Sequence, residues 1–530
     1  MNRRSVAPQA LRDLLLGGGE LALLDVREQG VFGRCHILLA NNLPLNHLEL
    51  KARDLLPRPG VPVVLCDGGE GLADRAAARL TDMGFTDIAI LDGGVDAWAA
   101  AGFEVFSGVN VPSKAFGEYV EHRFDTPRIA AADLKAEIDA GTDLVILDSR
   151  PMDEYRVMNI PGGIDTPGAE LVQRVRDLAP DPETFVVVNC AGRTRSIIGC
   201  QSLVNAGIPN RVAALKNGTM GWHLAGFALE RGATRRYGPV SPDGDAWSRD
   251  AAARVAERFG VRRIDRARLA AWQAEADRRS LYVLDVRAPE DYAAGHLPGS
   301  IPAPGGQLVQ ATDQWIAVRN ARVVLVDDSG VRATMTASWL IQMGLPEVYV
   351  LDGGLGADDL ETGSYWPNCP ELDATRAETI TAEELYDERG TSMIIDVGPS
   401  LAHRAGHIPG ACWAIRARLD DAIETPAATL QVVISSDDGR LARLAADDLR
   451  GRLYEPVLAL EGGTAAWRAA GLPLTPGMER ALHAEDDVYH RPYDREAGVE
   501  AAMNAYLDWE VALVEQLERD GTLRFPDFPA

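Results

Sequence analysis

The sequence predicts an α/β protein of four tandem domains, each a small parallel sheet flanked by helices, followed by a C-terminal helical extension. Three observations carry this. Four short apolar segments, LALLDVRE, LVILDSRP, LYVLDVRA and MIIDVGPS, each place an aspartate at the end of a strand: Asp25, Asp148, Asp285 and Asp396. Eleven residues beyond each aspartate stands His36, Asn159, His296 or His407, and the last three open NIPGG, HLPGS and HIPGA. A second apolar strand then follows in each copy (VPVVLC, FVVVNC, RVVLVD and LQVVIS), and later a glycine turn: LDGGVDAW, LKNGTMGW, LDGGLGAD and LEGGTAAW. A fixed order recurring at domain-sized intervals is the mark of an internal repeat.

Each element has a local reason. Short continuous apolar runs suit strands buried on both faces, and alternation with helix-like stretches places them in a parallel sheet. Domain boundaries are expected at 1–110, 120–236, 255–366 and 373–477. The widest gap between aspartates contains RRYGPVSPDGDAWSRD, read as a linker that divides the chain into two pairs of domains. Residues 478–530 form a tail. Its HAEDDVYHRPYDRE stretch reads as irregular, and GVEAAMNAYLDWEVALVEQLERDG as one amphipathic helix without chemistry of its own. Domains 3 and 4 or this helix are the expected places for a homodimer contact or a protein partner.

Composition narrows the function. The apolar fraction of 46% is that of a globular protein, and the net charge of −25 argues against nucleic-acid and membrane-surface partners. No apolar run reaches the length of a membrane span, and the first residues hold no segment long enough for a signal peptide, so the cytoplasm is the expected location. Six scattered cysteines, 35, 66, 190, 200, 369 and 412, show neither CxxC pairs nor zinc spacing, which favours reduced thiols and no metal.

One of them stands apart. Residues 189–199, NCAGRTRSIIG, put Cys190 between a strand and a helix, with Arg193 and Arg195 close behind. A thiol attacks as thiolate, and a helix N-terminus with neighbouring cations favours that form. Ala191 and Gly192 let the loop curl, Thr194 and Ser196 offer hydroxyls, and the two arginines are expected to hold an anionic substrate. Aligned on the second strand, the other loops read CDGGEGL, DDSGVRA and SDDGRLA. On that alignment Cys66 is a second candidate thiol in an acidic loop, and Asp327 and Ser436 stand where a nucleophile is lost. Cys200 reads as core, and Cys35, Cys369 and Cys412 as bystanders. Arg150 is expected to form a structural ion pair with Glu154, Trp222 to pack in the core, and the repeated histidines to hydrogen-bond in turns.

The LD-x-R strand, the H-x-PG-[AS] loop, the Cys-headed loop and the GG-x-x-x-W turn together resemble the rhodanese family of sulfurtransferases, over nearly all of residues 1–477. The resemblance implies that Cys190 takes a sulfane sulfur from thiosulfate or a persulfide, holds it as a persulfide without a cofactor, and passes it to cyanide or a thiol. Domain 2 is then catalytic, domain 1 altered, and domains 3 and 4 inactive. Relatives that use 3-mercaptopyruvate carry CG-[ST]-GVT, which this loop lacks. Rhodanese-like phosphatases need C-x5-R, whereas here position 196 is serine. The remaining alternatives are a 3-mercaptopyruvate sulfurtransferase and a sulfur carrier or scaffold whose altered domains bind partners.

Overall fold

The computed structural model describes residues 4–529, except 357–359, 423–430, 451, 453–455 and 496. Each repeat folds around a five-stranded parallel sheet of one strand order. In the second repeat the order is Arg128–Ile129, Val212–Leu215, Phe185–Asn189, Leu144–Asp148 and Ile164–Asp165. The central strand Phe185–Asn189 is buried throughout, which is why its sequence, FVVVN, is apolar without alternation. The first repeat's sheet gains a sixth strand, Val318–Arg319, which pairs antiparallel with Leu21–Asp25 and ties the third repeat to the first.

The constant offset of eleven has a physical cause. Arg150 grips Asp148 through Nε and Nη2, at 2.9 and 2.7 Å, and donates from Nη2 to the carbonyl of Met158 at 2.6 Å. That carbonyl immediately precedes Asn159, whose backbone pairs with Glu230. Arg27 and Arg287 make the same clamp on Asp25 and Asp285 and on the carbonyls of Cys35 and Gly295. The expected Arg150–Glu154 pair does not form, because the aspartate at the strand end is nearer and fully buried. In the fourth repeat, where Gly398 replaces the arginine, His403 Nδ1 takes up Asp396 at 2.7 Å. His36, His296 and His407 each use Nδ1 on the carbonyl four residues earlier, and Asn159 Nδ2 donates likewise to Tyr155. Trp98, Trp222 and Trp467 are buried, each donating to a carbonyl six residues on.

Two interdomain segments differ from the sequence reading. The second half of the expected linker is the start of helix Pro242–Phe259, capped by the Ser241 hydroxyl. Residues between the first two domains form helix Val111–Phe124, which packs against helix Thr194–Ala206 and the terminal helix Val499–Asp520. The terminal helix itself lies on its own chain, with Met503, Leu507, Leu513 and Leu517 buried. Its apolar stripe is therefore satisfied within the chain. Among the described residues no helix is long and apolar enough to cross a membrane.

Asp165 of the edge strand is fully buried, and neither carboxylate oxygen accepts a hydrogen bond. Burial, with Asp148 nearby, outweighs Arg236 and pushes its pKa up to about 7. A raised carboxyl pKa contributes stability that is complete below about pH 4 and is lost as pH rises through 7. Asp165→Asn is therefore expected to unfold later than the wild type at pH 8, with the difference shrinking towards pH 4. Thermal unfolding followed across that range checks it; a difference independent of pH would contradict the assignment.

Candidate active site

Strand register aligns the four loops without reference to sequence. Asp148 pairs with Asn189, and its counterparts Asp25, Asp285 and Asp396 pair with Cys66, Val326 and Ser435. The positions equivalent to Cys190 are therefore Asp67, Asp327 and Ser436. Three of these carbonyls accept from the glycine turn in the same way: Thr219 N donates to Cys190 O, Val95 N to Asp67 O, and Thr464 N to Ser436 O. The turn must approach so closely that a Cβ on Gly218 would lie 2.3 Å from the Cys190 carbonyl oxygen, and Gly218 also has φ +54°. Both facts require glycine there.

This register corrects the reading of Cys66. It occupies the place of Asn189 on the strand, one residue short of the loop, and is wholly buried. Burial, then Asp25, pushes its thiol pKa well up against the pull of Arg27. The sequence alignment had slipped by one because both strands end in cysteine. Cys200 is also core, with burial pushing its pKa up to about 12. Cys35 is less isolated from positive charge than its sequence suggests, since Arg27 binds its carbonyl.

The equivalent loops reveal what the backbone does at position 190. In the first repeat the Asp67 carboxylate accepts from Gly69 N at 2.9 Å and Ala73 N at 3.0 Å. In the third, Asp327 accepts from Gly330 N at 2.6 Å and Ala333 N at 3.2 Å. Burial raises the Asp327 pKa, while Arg332 and these two donors oppose it. In the fourth, Ser436 Oγ accepts from Ala442 N at 3.2 Å. The loop before the helix is thus a cradle of N–H groups around one side chain, and two of the repeats fill it with a carboxylate.

Only the second repeat places a thiol there. Cys190 is 2% exposed. Its thiol donates to Ser196 Oγ at 3.6 Å, and that hydroxyl donates to the Arg193 carbonyl at 2.7 Å. Thr194 points elsewhere, its Oγ1 donating to Glu510 at 3.5 Å. Ala191 and Gly192 complete the turn, and the carbonyl of Ala191 accepts from Met220 N.

The arginines are not open as expected. Arg193 gives Nε and Nη2 to Glu118 at 2.6 and 2.7 Å, Nη2 also to Glu121 at 2.6 Å, and Nη1 to Asn217 at 3.1 Å. Arg195 is held by Glu154 at 2.8 and 2.7 Å and by Gln307 at 3.0 Å. Burial alone would push the Glu154 carboxyl up, but Arg195 prevails and holds it near 2. The sequence did not show these partners because Glu118 and Glu121 lie on a helix far from the loop in the chain. Their burial also defeats an amphipathic reading.

Beside the loop lies a cavity of about 330 Å³. Tyr489, Tyr493 and Tyr506 of the tail line it, with Gln307, Gln310 and Gln314 of the third repeat. Lys114 Nζ donates to Glu510 Oε1 at 3.0 Å and to the Tyr506 hydroxyl, fastening the terminal helix over the loop. The tail, read as devoid of chemistry, forms part of the site's wall. Among the described residues no group of three or more His, Cys, Asp or Glu side chains is placed to hold a metal ion.

The comparisons with known proteins agree with this architecture. The family model of the rhodanese-like domain matches residues 7–101, 130–225, 266–357 and 381–470. The crystal structure of thiosulfate sulfurtransferase from Pseudomonas aeruginosa is 51% identical over 99% of this chain and 100% of its own, with a TM-score of 0.94. An HTH-type transcriptional regulator from Mycobacterium tuberculosis is 31% identical over 110 residues, 21% of this chain and 47% of that protein. Thiosulfate sulfurtransferase GlpE from Pseudoalteromonas translucida is 28% identical over 81 residues, 15% of this chain and 75% of that protein. The first of these two curated relatives is thus matched over about half of its own length. With four matched segments in one polypeptide, the chain belongs to the rhodanese family, and its fold is four tandem rhodanese-like domains.

Proposed function

We propose that this protein is a sulfurtransferase in which Cys190 carries sulfane sulfur as a persulfide. The observation that carries the reading is the comparison of the four loops. The same backbone cradle accepts a carboxylate at Asp67 and Asp327 and holds a thiol at Cys190. A cradle that accepts a buried carboxylate suits a thiolate and the persulfide formed from it.

The chemistry balances without a cofactor. The Cys190 thiolate attacks the outer sulfur of thiosulfate, that sulfur's bond to the sulfonate breaks, and sulfite leaves with the electron pair. The positions that donate N–H groups to the side chain in the other repeats correspond here to Gly192, Arg193 and Ser196, and the Ser196 hydroxyl contacts the sulfur directly. Arg193 and Arg195 act through their ion pairs, which fix the loop in this shape. The Pseudomonas aeruginosa structure, similar along the whole chain and named a thiosulfate sulfurtransferase, favours thiosulfate as donor over 3-mercaptopyruvate. The second domain is the catalytic unit, and the first, third and fourth have lost the nucleophile at Asp67, Asp327 and Ser436.

Mass spectrometry after thiosulfate treatment tests this. One added sulfur atom is expected on the peptide containing Cys190 and none on that containing Cys66. Sulfur found on Cys66 alone would overturn the assignment.

A further inference from the structure

If Cys190 carries the sulfur, the cavity beside it bears on where that sulfur goes. Its volume of about 330 Å³ lies at the lower end of pockets that take drug-sized ligands, roughly 300–1,000 Å³, and far exceeds what a two-atom cyanide fills. Its charges are already balanced. Lys114 is paired with Glu510, Arg193 with Glu118 and Glu121, Arg195 with Glu154, and Arg491 with Asp494. With its cations paired, the wall holds an acceptor by hydrogen bonds to its polar groups and not by new ion pairs.

What it offers is hydrogen bonding. Gln310 Oε1 and Glu510 Oε2 border the cavity, are buried, and accept no hydrogen bond within the protein. Such acceptors are costly unless a ligand or water satisfies them, and a ligand does so only with N–H or O–H groups. The tyrosine rings of Tyr489 and Tyr493 add flat apolar faces with a polar edge. Cys190 is almost fully buried beside this cavity, so a cysteine on a folded protein surface does not reach it in this structure.

We propose that the third repeat and the C-terminal tail build an acceptor subsite fitted to a low-molecular-weight organic thiol bearing N–H groups, in preference to cyanide or a protein thiol. The proposal rests on Cys190 being the sulfur carrier. In the transfer, the acceptor sulfur attacks the outer sulfur of the Cys190 persulfide. A new S–S bond forms on the acceptor, the bond to Cys190 breaks, and Cys190 regains the electron pair as thiolate. The acceptor's thiol proton stays on the product persulfide, and no outside oxidant or reductant takes part. On this reading a repeat that has lost its own nucleophile serves the one that kept it.

The test uses the full chain, thiosulfate as donor, and four acceptors: glutathione, 2-mercaptoethanol, cyanide and reduced thioredoxin. Glutathione is expected to exceed 2-mercaptoethanol and thioredoxin in kcat/KM by about tenfold or more, and to exceed cyanide as well. Gln310→Leu and Tyr493→Ala should each lower the glutathione to 2-mercaptoethanol ratio by about tenfold. Persulfide on Cys190 is measured by mass in each sample. A wild-type protein that fails to load sulfur overturns the carrier assignment itself. Loading with equal use of both thiols, with cyanide or thioredoxin preferred, or with a ratio unmoved in both variants, overturns the acceptor subsite alone. The wild-type acceptor series decides the matter even if neither variant folds.

Discussion

Replacing Cys190 with serine is expected to lower thiosulfate-dependent sulfur transfer by about 10³-fold or more, the scale on which covalent catalysis fails when its nucleophile is removed. A serine hydroxyl in the same cradle is mostly protonated at neutral pH and forms no persulfide. The folded state should hardly notice. The contact with Ser196 is a weak thiol hydrogen bond at 3.6 Å, and a hydroxyl can replace it. Denaturant unfolding of Cys190→Ser should therefore stay within about 1 kcal/mol of the wild type. Cys66→Ser should behave in the opposite way. That side chain lies inside an apolar cluster with Leu23 and Trp98, so a hydroxyl there costs about 1–3 kcal/mol of stability while activity per folded molecule persists. Steady-state rates and unfolding midpoints on both variants separate the roles. A Cys190→Ser protein with near-normal turnover would remove the basis of the proposed mechanism.

The contrast between these cysteines shows how far the sequence could be read. The repeat, its strands and the core tryptophans were legible because their causes are local: apolar runs, glycine turns, and a clamp that spans a fixed number of residues. The unusual character of the Cys190 loop was legible for the same reason. Cys66 was misplaced because FVVVNC and VPVVLC look alike, and only the pairing of Asp25 with Cys66 against Asp148 with Asn189 fixes the register. The charge state of the loop was not legible at all. Arg193 reads as free in sequence, but Glu118 and Glu121 reach it from a helix buried on several sides, and no periodicity marks such a helix. Glu510 and Tyr506 come from still further along the chain, on a helix whose amphipathic stripe concealed its role at the site.

Arg193 is also where the largest loss of stability is expected. Its guanidinium is nearly buried and holds Glu118, whose side chain is fully buried, and Glu121, which is almost so. Burial already raises the Glu118 pKa, with Arg193 opposing it. Arg193→Met removes the cation and leaves Glu118 buried without its counter-ion, while Glu121 keeps only Arg128 at 3.4 Å, so a cost of about 3–5 kcal/mol is expected. That is a large fraction of what holds a typical domain folded. Part of it is recoverable by protonation, so the variant should lose less stability at pH 5 than at pH 8. The sign follows from linkage: an unpaired Glu118, its pKa raised by burial, binds a proton in the folded state, and stability then falls as pH rises. Adding Glu118→Gln and Glu121→Gln should restore much of the loss, because amides carry no charge to compensate. Urea unfolding of the single and triple variants decides between an ion triad and a substrate arginine. If Arg193→Met is as stable as the wild type and loses only affinity for thiosulfate, the guanidinium serves the anion and not the loop. If the triple variant regains stability, the second domain's cradle is held in shape by a buried charge cluster that its own loop sequence does not contain.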